Sequence, residues 1–314
     1  MTNRIQRFIA FLLVLCIPIF AIAGCTNNDV ANAANQVTTN ANGTYSIDTK
    51  TTTPEGKLDV YMLDIGQGDA ILLKVGDEYS MIDTGDIEHR ENIVAQLKTM
   101  GVTKLKNIII THPHADHMGG FYAIAKAMPI EHVYDDGIAV DNNMYKTYEK
   151  WIEKNKIQRT TLRSGDVVDF GHGAVFVVYA PWVEPLTDKK GETDLNNNSI
   201  VGKLIFGKFS MLFTGDAEWQ EEKKLIKEQN SRLFSRILKV GHHGSRTSSS
   251  EDFLKSIKPE SALISNGMYN KYGHPHDVTL RRLQENNIAI YRTDTMGRIH
   301  ISTDGNEWQI TTER

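Results

Sequence analysis

The chain has 314 residues, 40% of them hydrophobic and 24% charged, with a formal net charge of −4. This balance excludes a disordered or fibrous polymer and suits one or two globular domains with an ordinary core. It gives no basis for broad electrostatic capture of nucleic acid, although a local basic groove would fit within it.

The first 25 residues, MTNRIQRFIAFLLVLCIPIFAIAGC, set Arg4 and Arg7 ahead of an apolar stretch over about 8–23, the shape of a secretory signal. The stretch is short for a membrane span, contains Pro18 and ends in small residues before Cys25. It resembles a bacterial lipobox. That resemblance implies a lipoprotein signal peptide over 1–24, cleavage before Cys25, lipidation of that cysteine and an extracytoplasmic protein anchored to a membrane. An uncleaved anchor helix is the alternative. Cys16 and Cys25 are the only cysteines, so the body after them has no disulfide. Residues 25–56, rich in Asn, Thr and Ala, read as a flexible tether.

A folded body is expected over 57–314. Three antiparallel strands are predicted in LDVYMLDIGQGDAILLKVGDEYSMIDTG, separated by glycine turns at 66–68 and 76–77. A helix over about 88–100, stopped by Gly101, leads to a buried strand in LKNIII and a second helix from about Met118. A polar helix over 143–155 precedes strands at about 160–163, 166–170 and 174–179. SIVGKLIFGKFSMLF reads as a hairpin turning at Gly207 and Lys208. Helices at 217–229, 250–257 and 277–286 alternate with strands RILKV and SALIS, and closing strands lie between 288 and 311. This order predicts an α/β (α+β) fold of two half-domains packed sheet to sheet, with helices outside.

THPHADHMGG, at 111–120, follows the apolar strand LKNIII and carries three histidines and an aspartate in six positions. Metal sites need several lone-pair donors converging on one point, and a loop at the end of a rigid strand delivers them at little entropic cost. His112 and His114 alternate on one side of an extended segment, and Asp116 and His117 follow as the chain turns into a helix. That arrangement can feed two ions. Gly66 and Gly68 serve either a plain turn or a loop that brings Gln67 and Asp69 to the site's edge. Trp151, Trp182 and Trp219 read as core or rim residues rather than a base-stacking platform.

The H-x-H-x-D-H pattern resembles the signature of the metallo-β-lactamase superfamily, whose fold is an αββα sandwich. MLDIGQGDA, MIDTG, LFTGDAE, LKVGHHGS and YGHP resemble the branch represented by the C-terminal domain of the DNA-uptake competence protein ComEC. The likeness runs from Leu58 to the C-terminus. It implies one or two divalent ions, zinc or manganese. His112 and His114 would bind the first, Asp116 and His117 the second, and Asp216 would bridge them. Asp83 would orient a ligand histidine. The histidine that the superfamily usually places before the strand leading to the bridging aspartate is missing, because this chain has TDLNNNSIVGKL there. Asn198 and Ser199 are expected to line the site or touch substrate.

His242 and His243 are followed by Gly, Ser and Arg246, which are expected to open into a helix whose amides and guanidinium hold phosphate oxygens. One of the two histidines could ligate metal and the other protonate a leaving oxygen, while His274 competes for the remaining ligand position. Asp116 would also orient the nucleophile. The resemblance implies a metal-dependent phosphodiesterase, a nuclease acting on extracellular DNA. A cell-wall phosphorylcholine esterase is the other enzymatic reading, and a binding lipoprotein without turnover is the non-enzymatic one.

Overall fold

The computed structural model describes residues 53–314 together with two short paired strands, β1 (Val37–Thr39) and β2 (Tyr45–Ile47). The leader, Cys25 and the rest of the tether lie outside the described residues. Among those described, no helix is long and apolar enough to cross a membrane.

Alternating apolar residues build the first meander: β3 (Leu58–Met62), β4 (Ala70–Val75) and β5 (Glu78–Thr84) pair antiparallel. On β4, Ile71 and Leu73 face one core while Leu72 between them faces another, as the period of two requires. Helix α1 (Arg90–Thr99) buries Ile93, Val94 and Leu97 and gives way to Gly101 at φ +80°. β6 (Leu105–Ile109) then runs parallel to β5.

The second helix starts earlier than the sequence suggested and is split into α2 (Ala115–Met118) and α3 (Phe121–Ala127). Gly119 and Gly120 make the break, because a Cβ on Gly120 would sit 2.0 Å from the Thr84 carbonyl oxygen. The early start puts Asp116 and His117 inside a helical turn. β7 (Ile130–Asp135) was not anticipated, since Glu131 and His132 interrupt its apolar pattern; it lies parallel to β6.

Helix α4 (Asn143–Asn155), capped by the Asn142 side chain, leads to the edge strand β8 (Gln158–Thr161). β9 (Val167–Gly171), β10 (Ala174–Ala180), β11 (Val201–Phe206) and β12 (Phe209–Phe213) form a second antiparallel run, with Gly207 at φ +60° in the expected hairpin. Strand-helix alternation follows: α5 (Trp219–Gln229), β13 (Ile237–Lys239), α6 (Glu251–Ile257), β14 (Ser261–Ile264), α7 (Asp277–Glu285), β15 (Ala289–Arg292) and a last turn α8 (Thr293–Met296). β16 (Ile299–Thr303) and β17 (Trp308–Thr312) cross back to the first sheet, where β16 pairs antiparallel with β3.

The sheets are ordered β17-β16-β3-β4-β5-β6-β7-β8 and β15-β14-β13-β12-β11-β10-β9. Ile71, Ile82, Phe176, Phe206, Phe213 and Ile301 fill the layer between them. Helices α1, α3 and α4 cover the first sheet and α5, α6 and α7 the second, which makes the expected αββα sandwich. The C-terminal ends of β5, β6, β12, β13 and β14 carry the residues of the site.

Candidate metal centre

β6 delivers Thr111 and His112 into the seam between the sheets, where His112 is fully buried. Its Nε2 lies 3.0 Å from His114 Nδ1, and His114 is held extended (φ −82°, ψ 155°) just before α2 begins. Asp83, at the end of β5 and at φ +58°, accepts the Thr111 amide and hydroxyl at 2.7 Å each. Left-handed backbone at an aspartate is uncommon and marks a constrained position. The same carboxylate meets His117 Nδ1 at 2.8 Å, which turns His117 Nε2 into the seam.

Asp216 follows β12 through Gly215 at φ +49°, and its amide donates to Ser199 Oγ at 3.0 Å. Its two oxygens face different partners. Oδ1 lies 3.2 Å from His117 Nε2 and 3.6 Å from His243 Nε2; Oδ2 lies 3.8 Å from His112 Nε2 and 3.6 Å from His242 Nε2. His243 donates from Nδ1 to the Ser265 carbonyl at 2.9 Å, leaving Nε2 as the ring's acceptor, 3.3 Å from Asp116 Oδ2.

Among the described residues, two donor groups share Asp216. Asp116, His117, Asp216 and His243 offer ligand atoms within 4.8 Å of one another, and so do His112, His114 and Asp216. His117 Nε2, His243 Nε2 and Asp216 Oδ1 are buried with no hydrogen-bond partner. Orphaned acceptors at this density are costly unless something satisfies them, and a divalent cation does so for all three. The donor set of nitrogen and carboxylate oxygen fits zinc or manganese. Charge agrees: burial opposes ionisation of Asp216, but His117 and His243 outweigh it and hold its carboxyl well below the ordinary range. Burial, helped by the neighbouring His117, pushes His112 well below its usual value, so that ring is neutral and able to ligate.

The family profile of the metallo-beta-lactamase superfamily matches residues 63–267. The chain belongs to the metallo-β-lactamase superfamily. Within it, the chain is 30% identical over 247 residues to competence protein ComA of Neisseria gonorrhoeae, covering 78% of this chain and 32% of that protein. It is 29% identical over 264 residues to ComE operon protein 3 of Bacillus subtilis, covering 78% of this chain and 33% of the relative. The chain therefore spans about a third of the length of these curated relatives, and the likeness is of the ComEC type. Among solved structures, the metallo-β-lactamase fold protein YhfI of B. subtilis superposes with a TM-score of 0.54 at 10% identity, covering 78% of this chain and all of that one. CmlA, a diiron β-hydroxylase from Streptomyces venezuelae, superposes at 0.51 with 13% identity, covering 79% of this chain and 54% of that one. These two share the fold. The chain is a metal-dependent hydrolase of the metallo-β-lactamase superfamily.

Several superfamily positions sit where the sequence placed them, and others do not. Asp69 reaches the centre itself: its carboxylate is 3.5 Å from His243 Nδ1 and 3.9 Å from His117 Nδ1. Gly68, at φ +122°, lies so close to α2 that a Cβ would meet the Asp116 carbonyl oxygen at 2.5 Å. The glycine loop thus cradles the metal loop, and Asp69 N donates to that same carbonyl at 3.0 Å. Sequence reasoning missed Lys239, which is fully buried and pairs with Asp69; inside ILKV it resembles an ordinary strand residue. It also passed over Glu218, whose Oε1 meets His242 Nδ1 at 3.1 Å.

Asn198 does not face the cleft. Its amide is spent on the Leu186 backbone and the Asp194 carbonyl, so it pins the preceding loop. Ser199 does reach the centre, 3.4 Å from His112 Nδ1. Arg246 is exposed and opens no helix: GHHG forms a tight turn, and α6 starts five residues after Arg246, capped by Ser250. The place of Asn198 at the cleft and the helix start at Arg246 are corrected on these grounds.

His274 belongs to neither donor group. Its ring stands 5.4 Å from that of His242, and burial, with His243 and His242 adding to it, pushes its pKa down to about 4. It forms the wall of a cleft of about 320 Å³ with Gln67, His114, Asn196 and Tyr272. A larger cleft of about 810 Å³ lies on the helix-bearing face of the second sheet, between Trp182, Lys203, Arg232 and Phe234. The two clefts share no residue, and both donor groups border the smaller one.

Proposed function

We propose that this chain is a metal-dependent phosphodiesterase that cuts single-stranded or other accessible DNA outside the cytoplasm, held to a membrane through a lipidated Cys25. One observation carries the reading: Asp216 splits its two oxygens between two histidine-rich donor groups at the floor of a cleft. The competence relatives support DNA as the substrate, and the leader's lipobox supports the anchor.

Divalent ions held by His112, His114, Asp116, His117, Asp216 and His243 would supply Lewis-acid charge for the phosphate and lower the pKa of a water from about 15.7 toward 7. This chain's residues do the rest. Asp83 and the Ser265 carbonyl fix the rings of His117 and His243 so that each presents Nε2. Asp116, whose carboxyl is held well below its ordinary range because His243 outweighs burial, stays ionised to bind and orient. His243 spends its Nδ1 proton on the Ser265 carbonyl and would give its unpartnered Nε2 to metal, which would leave it no proton for a leaving oxygen. Tyr272 at the rim carries the Lys271 ammonium 5.1 Å from its ring centroid, which suits a planar group next to phosphate and opposes a cationic choline.

Metal content by mass spectrometry, followed by hydrolysis of bis(p-nitrophenyl) phosphate, single-stranded DNA and a phosphorylcholine ester with Mn²⁺ or Zn²⁺, tests the reading. Metal-dependent DNA cleavage that His114→Ala and Asp216→Asn abolish is the expected result. Cleavage of the small diester with DNA intact in every metal would defeat the nuclease assignment, and release of choline phosphate would favour the esterase.

A further inference from the structure

The first donor group lacks the histidine that the superfamily usually adds to it. It holds His112, His114 and Asp216, the segment before β11 contains no histidine, and Asn198 there is committed to its own loop. We propose that His242 supplies the missing donor, so that the His242–His243 doublet gives one ligand to each ion. This rests on the metal-hydrolase reading above and goes beyond it in assigning the ligand.

His242 Nε2 lies 3.6 Å from Asp216 Oδ2, the same oxygen that faces His112 Nε2 at 3.8 Å. Its other nitrogen is taken: Nδ1 meets Glu218 Oε1 at 3.1 Å, and that oxygen also accepts the Thr247 hydroxyl at 2.8 Å. A carboxylate on Nδ1 fixes the tautomer with a lone pair on Nε2, the arrangement that metal-binding histidines use. The backbone is shaped for it. His242 and His243 both adopt left-handed conformations (φ +49° and +53°), and the His242 amide is tied to the Gly215 carbonyl at 3.1 Å. Two consecutive non-glycine residues in that region are costly and persist where the surroundings enforce them. Here they splay the two rings, 69° between planes and 6.3 Å between centroids, so that one addresses each oxygen of Asp216.

The competing role for His242 is donation of a proton to the leaving oxygen, and metal stoichiometry separates the two. Purified wild type, His242→Ala, His242→Cys and Glu218→Gln are dialysed against graded Zn²⁺ up to saturation and counted by mass spectrometry, with far-UV circular dichroism confirming the fold. Wild type should hold two ions and His242→Ala one, while His242→Cys, which keeps a donor, should recover the second. Glu218→Gln should keep two, one of them bound about 10–100-fold more weakly. Two tightly held ions in His242→Ala, or a single ion in wild type at saturation, would overturn the assignment while leaving the metal-hydrolase reading intact. A wild type that binds no ion would overturn that reading itself.

Discussion

Lys239 Nζ lies 2.7 Å from Asp69 Oδ2, and both side chains are buried at the junction of the two sheets. Asp69 immediately precedes β4 in the first sheet and Lys239 ends β13 in the second. The pair therefore locks the sheets together directly behind His117 and His243. Replacing Lys239 with Met strands Asp69 beside Asp83, Asp116 and Asp216, and a buried pair broken on one side costs about 3–5 kcal/mol. Urea unfolding of Lys239→Met should show a loss of that size, and adding Asp69→Leu should recover most of it. A double mutant as unstable as the sum of the two single changes would contradict the pairing.

Gly68 has no room for a side chain, because its φ of +122° and the nearby Asp116 carbonyl both exclude one. Gly68→Ala should push α2 away and displace Asp116 and His117. A shift of about 1 Å in positioned groups costs on the order of 10²-fold in rate. Steady-state kcat/KM on the small diester should fall by about that factor, and an unchanged value would show that the loop is only a turn.

Tyr272 is half exposed at the cleft mouth and stacks on His274, with centroids 5.7 Å apart and planes 22° from parallel. If the substrate is single-stranded DNA, its ring is placed to extend that stack by one base. Base–aromatic stacking is worth about 1–3 kcal/mol. Tyr272→Ala should raise KM for an oligonucleotide by about fivefold or more, whereas Tyr272→Phe should leave it near wild type. An unchanged KM in the alanine variant would remove the stack from the substrate path.

Glu222 on α5 sits beneath the start of α6 and accepts the backbone amides of Ser249 and Ser250, the latter at 2.9 Å. Burial raises its pKa from 4.5 to about 7. A pKa raised in the folded state stabilises fully below the unfolded value, near about 4.3, and that contribution is lost as pH climbs through about 7. Over this window the change amounts to about 3.5 kcal/mol. Urea midpoints measured from pH 4.5 to 8 should fall more steeply with pH in wild type than in Glu222→Gln. Parallel profiles would show that Glu222 is not the titrating group.

The metal loop was legible because six residues carry four ligand-type side chains, a density that ordinary folding does not need. Asp216 was legible beside it, and strand alternation exposed both meanders. Lys239 was not, since a lysine flanked by apolar residues reads as the wet face of a strand, and only the fold reveals that both faces of β13 are covered. Asn198 and Arg246 were misplaced for a related reason. Their neighbours in sequence reach the centre, but a one-residue step on a loop turns a side chain elsewhere. β7 was missed because its polar positions belong to a sheet edge region that composition alone cannot distinguish from a loop. The break at Gly119 and Gly120 depends on contact with Thr84, some thirty-five residues earlier in the chain.

β16 pairs with β3 residue by residue, from Ile299 opposite Met62 to Thr303 opposite Leu58. Without it, β3 would be an exposed edge strand, and the sheet that carries the metal loop would end in unpaired amides. The loop is synthesised early, yet its frame is closed by a strand some two hundred and forty residues downstream of β3. Such a pairing demands a large loop closure before it returns any contacts. Shortening the chain after YGHP would keep every metal-binding side chain and still cost the centre its geometry.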